Sequence, residues 1–449
     1  MDLEPLPTPG RRPLTVWLSW LVILGLTILL AYRSAATPAD QGAQEMLSLS
    51  RARIAGLFAM QFKSLAAGKA TPFLGSLATA DRLVTDLERE ARTDADRLRA
   101  AIVRGELHDG DDALKALDRW FPNDPAGETT EDLAVLRAIY ETGPETLDAD
   151  SKEKLIERHG DLGRLALSYN VDPDTEPRRS LQSTSFTFMI RMIVVAGGFM
   201  LLMLLVVGLF ILACVWVLKG KISPAYTRGE QSGVFVEGFA LYFILFLGLS
   251  IGLRFAGGNG VFGLWLALPI LLVVAGWLVR RGRTWTQVRD ALGWHTGRGW
   301  LREAGAGIAG YLAGLVLVAV GGLVTLLLVR LSGTSPASPV VEELQGGPLH
   351  IVGVFAAACI VAPILEETMF RGVLFHHLRE RWGWAISAPT VALIFAAIHP
   401  QGWVAIPVLG SIAIVLAGLR EWRGSLIAPI VAHACNNFLA LAAALMLLA

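Results

Sequence analysis

Pro363–Phe375 reads PILEETMFRGVLF. Two adjacent glutamates, Glu366 and Glu367, and one arginine, Arg371, stand in an otherwise apolar segment. The residues that lead into it, Ile351 to Leu365, carry no charge. Such a run reads as a membrane-spanning helix. An ionisable group at membrane depth costs a few kcal/mol on insertion scales, so it serves a function or is held by a partner. Two readings start here: a functional site, or an ion pair that only holds helices together.

The rest of the chain fits that setting. Hydrophobic residues make up 53% of the 449 and charged residues only 17%. With several apolar runs of roughly twenty residues, the expected fold is all-α, a polytopic helical membrane protein. Basic and acidic residues balance at 39 each, but unevenly: acidic residues exceed basic ones by seven between Arg33 and Arg179. There is no basic patch interleaved with aromatics, so nucleic acid is excluded as a partner. The partners implied are the lipid bilayer and a membrane-bound peptide or protein; oligomeric state is not legible. Cys214, Cys359 and Cys435 all lie in apolar runs, which implies no disulfide framework.

Arg11 and Arg12 precede an apolar run from Leu14 to Tyr32. It reads as an uncleaved anchor with its N-terminus in the cytoplasm. Residues 1–33 are therefore a cytoplasmic tail and anchor helix. Residues 34–185 read as a soluble, acidic, extracytoplasmic α-helical domain. Apolar residues recur there at helical spacing, as in Met46, Leu47, Ile54, Leu57, Phe58 and Phe62, then Leu83, Leu87, Leu98 and Ile102. His108 and His159 are lone histidines among charges and read as solvated. Residues 186–449 read as a membrane-embedded domain, with the motifs between about 349 and 449. Its candidate spans bring the total, with the anchor, to about nine. Lys219 and Lys221, Arg280, Arg281 and Arg283, Arg379 and Arg381, and Arg420 and Arg423 fall in alternate loops. That is a positive-inside pattern of one sign, with Arg254 and Arg330, in the other set of loops, as the exceptions. Thr284 to Leu301 suits a helix in the cytoplasmic interface, and Ser332–Gly347 an exterior loop.

The polar residues of the last four spans share one depth. At 1.5 Å per residue, Glu366 and His399 both lie roughly 22–24 Å from the Arg381–Gly383 turn. His433 and Asn437 lie roughly 14–20 Å beyond Gly424, and Arg371 roughly 15 Å from its own turn. Five polar side chains from three helices thus fall within about two helical turns of one another. Glu367 and Arg371 are four apart and can pair. Glu366 is rotated about 100° away, which leaves it free to face His399 as a base. His433 and Asn437 are also four apart and offer two donors on one face, as an oxyanion requires. Asn436, three residues from His433, is an alternative donor. Phe395, four before His399, walls the pocket on the same side, with Phe370 a further supporting residue. Pro363 predicts a kink.

EETMFR at Glu366–Arg371, FAAIH at Phe395–His399 and HACNN at His433–Asn437 resemble the EExxxR, FxxxH and HxxxN motifs of the CAAX protease and bacteriocin-processing family. That family includes the eukaryotic prenyl-protein endoprotease and bacterial abortive-infection membrane proteins. The resemblance covers roughly the last two hundred residues and leaves out the anchor and soluble domain. It implies a metal-free intramembrane glutamate protease without a cofactor. Glu366 and His399 would activate water, His433 and Asn437 would hold the oxyanion, and Glu367 and Arg371 would support them.

Two alternatives remain open on the residues. Glu366, His399 and His433 are also possible zinc ligands, although no HExxH motif is present. A non-catalytic scaffold or immunity protein is the reading from another class. The usage of Ala, Gly and Arg points to a bacterial inner membrane, where a leader peptide, a secreted peptide or a membrane-protein segment is the expected substrate.

Overall fold

The computed structural model describes residues 14–36, 48–49, 51–60, 77–91, 93–123, 127–172, 176, 178–226, 233–257, 260–334, 336, 343–344 and 346–448. Arg11, Arg12, Met46, Leu47, Phe62 and much of the Ser332–Gly347 loop lie outside them. Among the described residues every regular element is a helix. The chain divides into two units, residues 41–201 and the remainder, which joins the N-terminal helix to residues 202–447.

The first unit contains α2 (Leu77–Glu90), α3 (Asp94–Leu107), α4 (Gly110–Trp120), α5 (Glu128–Thr142), α6 (Ala149–His159) and α7 (Asp161–Leu167). Side-chain caps start three of them: Thr93 caps α3 in a box with Asp96, Asp109 caps α4 and Asp148 caps α6. Each cap accepts from a backbone N–H that the helix itself leaves unpaired. Leu98, Ile102, Leu117, Leu133, Leu136 and Ile139 form the core. The helical spacing of Leu98 and Ile102 is thus the spacing of a buried face. His159 departs from its expected solvated state. It is buried, and its Nε2 lies 3.0 Å from Asp132 Oδ2, while Arg158 takes the other carboxylate oxygen at 2.8 Å. That carboxylate tie joins α6 to α5 and makes the burial affordable.

The second unit is a membrane bundle built from α1 (Leu14–Ala36), the apolar half of α8 (Arg178–Leu218), α9 (Val234–Phe255) and α10 (Gly260–Arg280). It continues through the short α11 (Trp285–Leu292), α12 (Trp300–Ser332), α13 (Pro348–Arg379), α14 (Trp384–Ala397), α15 (Ile406–Arg423) and α16 (Ile427–Leu448). Eight of these helices are long and apolar enough to cross a bilayer. α14 is not among them. Its 14 residues rise about 21 Å, short of a hydrocarbon core of about 30 Å. The ninth expected span is therefore a partial one.

Close helix approach is built into α12. A Cβ at Gly307 would sit 2.5 Å from the Ala428 carbonyl oxygen, and one at Gly321 would sit 2.6 Å from that of Pro407. Only glycine lets α12 lie this close to α16 and α15, which is how helices gain packing where lipid is as apolar as they are. At one end of the bundle three bidentate ion pairs join different helices. Arg281 holds Glu237, Arg379 holds Glu421, and Arg423 holds Glu303.

Candidate active site

α13 carries Glu366, Glu367, Phe370 and Arg371, and its hydrogen-bond ladder slips twice. The Ala362 N–H reaches the carbonyl of Ala357, and the Phe375 N–H reaches that of Phe370, each five residues back. Pro363 has no N–H to offer the carbonyl of Cys359, so the ladder widens there into a π turn. The expected kink is thus a local widening, followed by a second one over Thr368–Leu374. Glu366 and Glu367 end the short α-helical stretch Ala362–Glu367 between the two.

Arg371 is fully buried and answered on two sides. Its Nη1 donates to Glu367 Oε1 at 2.9 Å and its Nη2 to the Ala413 carbonyl at 3.1 Å. Its guanidinium lies over the Phe395 ring, 4.8 Å from the centroid. Phe395 also meets Phe370 edge-on at 5.1 Å and the imidazole of His399 at 4.3 Å. It forms the floor on which the polar groups stand.

His399 follows the end of α14, in the turn that shortens it. Its Nδ1 faces the Phe395 carbonyl oxygen. A carbonyl only accepts, so Nδ1 carries the hydrogen and Nε2 presents its lone pair. That Nε2 lies 4.0 Å from Glu366 Oε2. His433, on α16, places its Nδ1 2.8 Å from Glu367 Oε1 and its Nε2 3.8 Å from Glu366 Oε2. Glu366 Oε2 itself has no hydrogen-bond partner. Its side chain is 22% exposed, whereas that of Glu367 is 0% exposed. The two neighbours are thus distinct: Glu367 is tied through Oε1 to Arg371 and His433, although its Oε2 is also unpartnered, whereas Glu366 makes no direct hydrogen bond and is partly exposed.

Asn437 Nδ2 donates to the Ala358 carbonyl at 2.8 Å, within the first π turn. Asn436, the alternative donor, is held differently. Its Nδ2 donates to Asn437 Oδ1 at 3.3 Å, and its own Oδ1 accepts from Tyr311 at 3.3 Å. Tyr311 and the carbonyls of Ala358 and Ala413 are the parts that reading the motifs missed. Main-chain carbonyls leave no residue-type signal, and Tyr311 lies well before the motifs. Among the described residues no group of three or more His, Cys, Asp or Glu side chains has the geometry to hold a metal ion.

Residues 348–439 match the family described as Rce1-like, type II CAAX prenyl endopeptidase Rce1-like. This segment is an Rce1-like domain. The matched segment contains Glu366, Glu367, Phe370, Arg371, Phe395, His399, His433 and Asn437, but not Tyr311. A stretch of 78 residues is also 31% identical to an uncharacterized 24.3 kDa protein of Escherichia coli. The match covers 16% of this chain and 36% of that protein's length. No solved structure matches the chain significantly. With eight membrane-length helices, the chain is an integral multi-pass membrane protein that carries a domain of a protease family.

Proposed function

We propose that the Rce1-like domain is an intramembrane endopeptidase that cleaves a membrane-associated peptide or protein with water activated by Glu366 and His399. The observation that carries this is the unpartnered Glu366 Oε2, with two imidazole Nε2 atoms at 3.8 and 4.0 Å. Those gaps are too long for direct hydrogen bonds and suit a bridging water. Glu366 and His399 Nε2 are both acceptors, so one water donates a hydrogen to each. Its oxygen lone pair is then free to attack a carbonyl carbon.

As the O–C bond forms, Glu366 takes the water's proton. The carbonyl oxygen becomes an oxyanion. His433 is oriented by Glu367 through Nδ1, and when protonated its Nε2–H is a donor beside Glu366. Asn437 has two amide hydrogens, and the Ala358 carbonyl uses one. The second is the other proposed oxyanion donor. Collapse breaks the C–N bond, and the leaving amine takes the proton from Glu366. Glu367 and Arg371 act at one remove, by fixing His433 and the floor of the site.

The test is turnover of a membrane-bound peptide by the purified chain in liposomes. Glu366→Gln keeps the shape and loses the base, so turnover falls by about 10²–10⁴ while the fold survives. Activity is expected to withstand strong chelators. A folded Glu366→Gln protein with full turnover sinks the proposal, and loss of activity on chelation that zinc restores would move the chemistry to a metal.

A further inference from the structure

A second polar site lies at the end of the bundle that carries the three ion pairs. There Ala225, Tyr226, Asp290, His295, Arg420 and Gly424 line a cavity of about 310 Å³. Arg420 is 1% exposed, yet among the described residues no carboxylate forms an ion pair with it. Its Nε donates to the Arg371 carbonyl at 3.3 Å and its Nη2 to the Ala291 carbonyl at 2.8 Å. Nη1 has no hydrogen-bond partner. Glu421, the next residue, is taken bidentately by Arg379 and is not available to it. The Tyr226 ring lies against both guanidinium groups, 5.3 Å from Arg420 and 5.5 Å from Arg379. A buried cation held only by neutral carbonyls and a ring is costly unless an anion joins it.

The other side of the cavity carries the opposite sign. Asp290 stands on α11, and its one ion pair among the described residues, with Arg289 beside it at 3.2 Å, is between half-exposed side chains. Such a pair is weak and leaves the carboxylate able to take a second cation. Burial, and then the charge of Arg420, hold His295 below its ordinary value, so it is neutral at pH 7. The cavity therefore offers one buried positive and one exposed negative group, facing a space that holds a small zwitterion.

Its surroundings say what kind. Trp285 opens α11 and is half-exposed, and Trp300 and Leu301 at the start of α12 are more exposed still. Tryptophan at the end of a membrane helix marks the level of the lipid headgroups. A short amphipathic helix such as α11 lies in that layer. We infer that this cavity binds a zwitterionic phospholipid headgroup, with the phosphate at Arg420 and the ammonium at Asp290. The chemistry is that of a phosphoethanolamine group. No residue of the proposed catalytic set lines the cavity, so the site stands or falls apart from the protease reading.

The test is thermal unfolding of the full chain, stripped of lipid in detergent, with one additive at a time. Phosphatidylethanolamine is expected to raise the Tm by about 3 °C or more. Phosphatidylglycerol, which has the phosphate but no ammonium, should raise it less, and inorganic phosphate not at all. Asp290→Asn lies on an exposed side chain and should fold. It is expected to erase the preference between the two lipids. Arg420→Lys keeps the charge but not the fork, and should weaken both. Equal effects of the two lipids on the wild type, an Asp290→Asn protein that keeps the preference, or a phosphate effect as large as that of the lipid would each overturn the inference.

Discussion

Glu366 and Glu367 are neighbours in the chain but meet different surroundings, and the difference is energetic as well as geometric. Glu367 shares Oε1 between Arg371 at 2.9 Å and His433 at 2.8 Å. Replacing it with Gln keeps an oxygen that can accept from Arg371 but removes the one negative charge that answers the buried guanidinium in this pair. Breaking such a pair costs about 3–5 kcal/mol, so Glu367→Gln is expected to unfold at clearly lower temperature than the wild type. Glu366→Gln breaks no hydrogen bond that the structure shows and should keep the wild-type Tm. A thermal scan of both variants beside a turnover assay separates the roles. If Glu367→Gln proves as stable as the wild type and only inactive, that charge pairing is not what Glu367 serves. The pairing of Glu367 with Arg371 was legible from their spacing of four, and so was the freedom of Glu366. The tie from His433 to Glu367 was not. It depends on how α16 is rotated against α13, and spacing within either helix says nothing of that.

At the scale of elements, the sequence marked where helices lie better than how they deviate. The apolar runs placed the long spans, because hydrophobic length is set by the bilayer. Two deviations escaped it. One is the pair of π turns in α13, where a single proline announces a disturbance but not its form. The other is the short α14, which ends before the apolar pattern does and so sets His399 in a turn. The first unit shows the same limit, since His159 looked solvated among charges until α5 brought Asp132 to it. That tie has a pH signature. Burial alone would raise the Asp132 pKa, but the hydrogen bonds from His159 and Arg158 outweigh it and leave the group lowered. A carboxylate whose folded pKa is depressed adds stability above its unfolded pKa and loses it as pH falls through the folded one. Asp132 therefore stabilises its unit at neutral pH and begins to lose that contribution as pH falls below about 4. Asp132→Asn should weaken the unit by about 1–3 kcal/mol at pH 7. The gap between variant and wild type should close in acid, as followed by helix content on heating. A gap that stays constant from pH 7 to pH 3 would show that the carboxylate charge is not what holds α6 to α5.

For the whole molecule the open question is which side of the bilayer each end faces, and the ion pairs bear on it. Read in the sequence, Arg281, Arg379 and Arg423 are positive charges in alternate loops. In the fold each is neutralised by a glutamate of another helix, at 2.6–2.9 Å. Their weight as topogenic charges in the finished protein is therefore small, although they act on insertion before those partners are in place. Lys219, Lys221 and Arg280 form no ion pair among the described residues and keep the bias of the same sign. The backbone at Ala225 and Tyr226 donates to the Glu421 carbonyl, so the loop after α8 lies at the end where Arg379 and Arg423 lie. That agreement supports the proposal that this end is cytoplasmic. Because α8 crosses the membrane once before that loop, the residues preceding it, the acidic unit among them, are proposed to lie outside. Single cysteines at Asp109 and at Gly282, in a chain whose Cys214, Cys359 and Cys435 have been replaced, test this in intact cells. An impermeant thiol reagent should reach the cysteine at 109 directly and the one at 282 only after the membrane is opened. Labelling of both positions from the same side would show that the charge pattern misleads, and that the pairing of its arginines, not their count, is what they contribute.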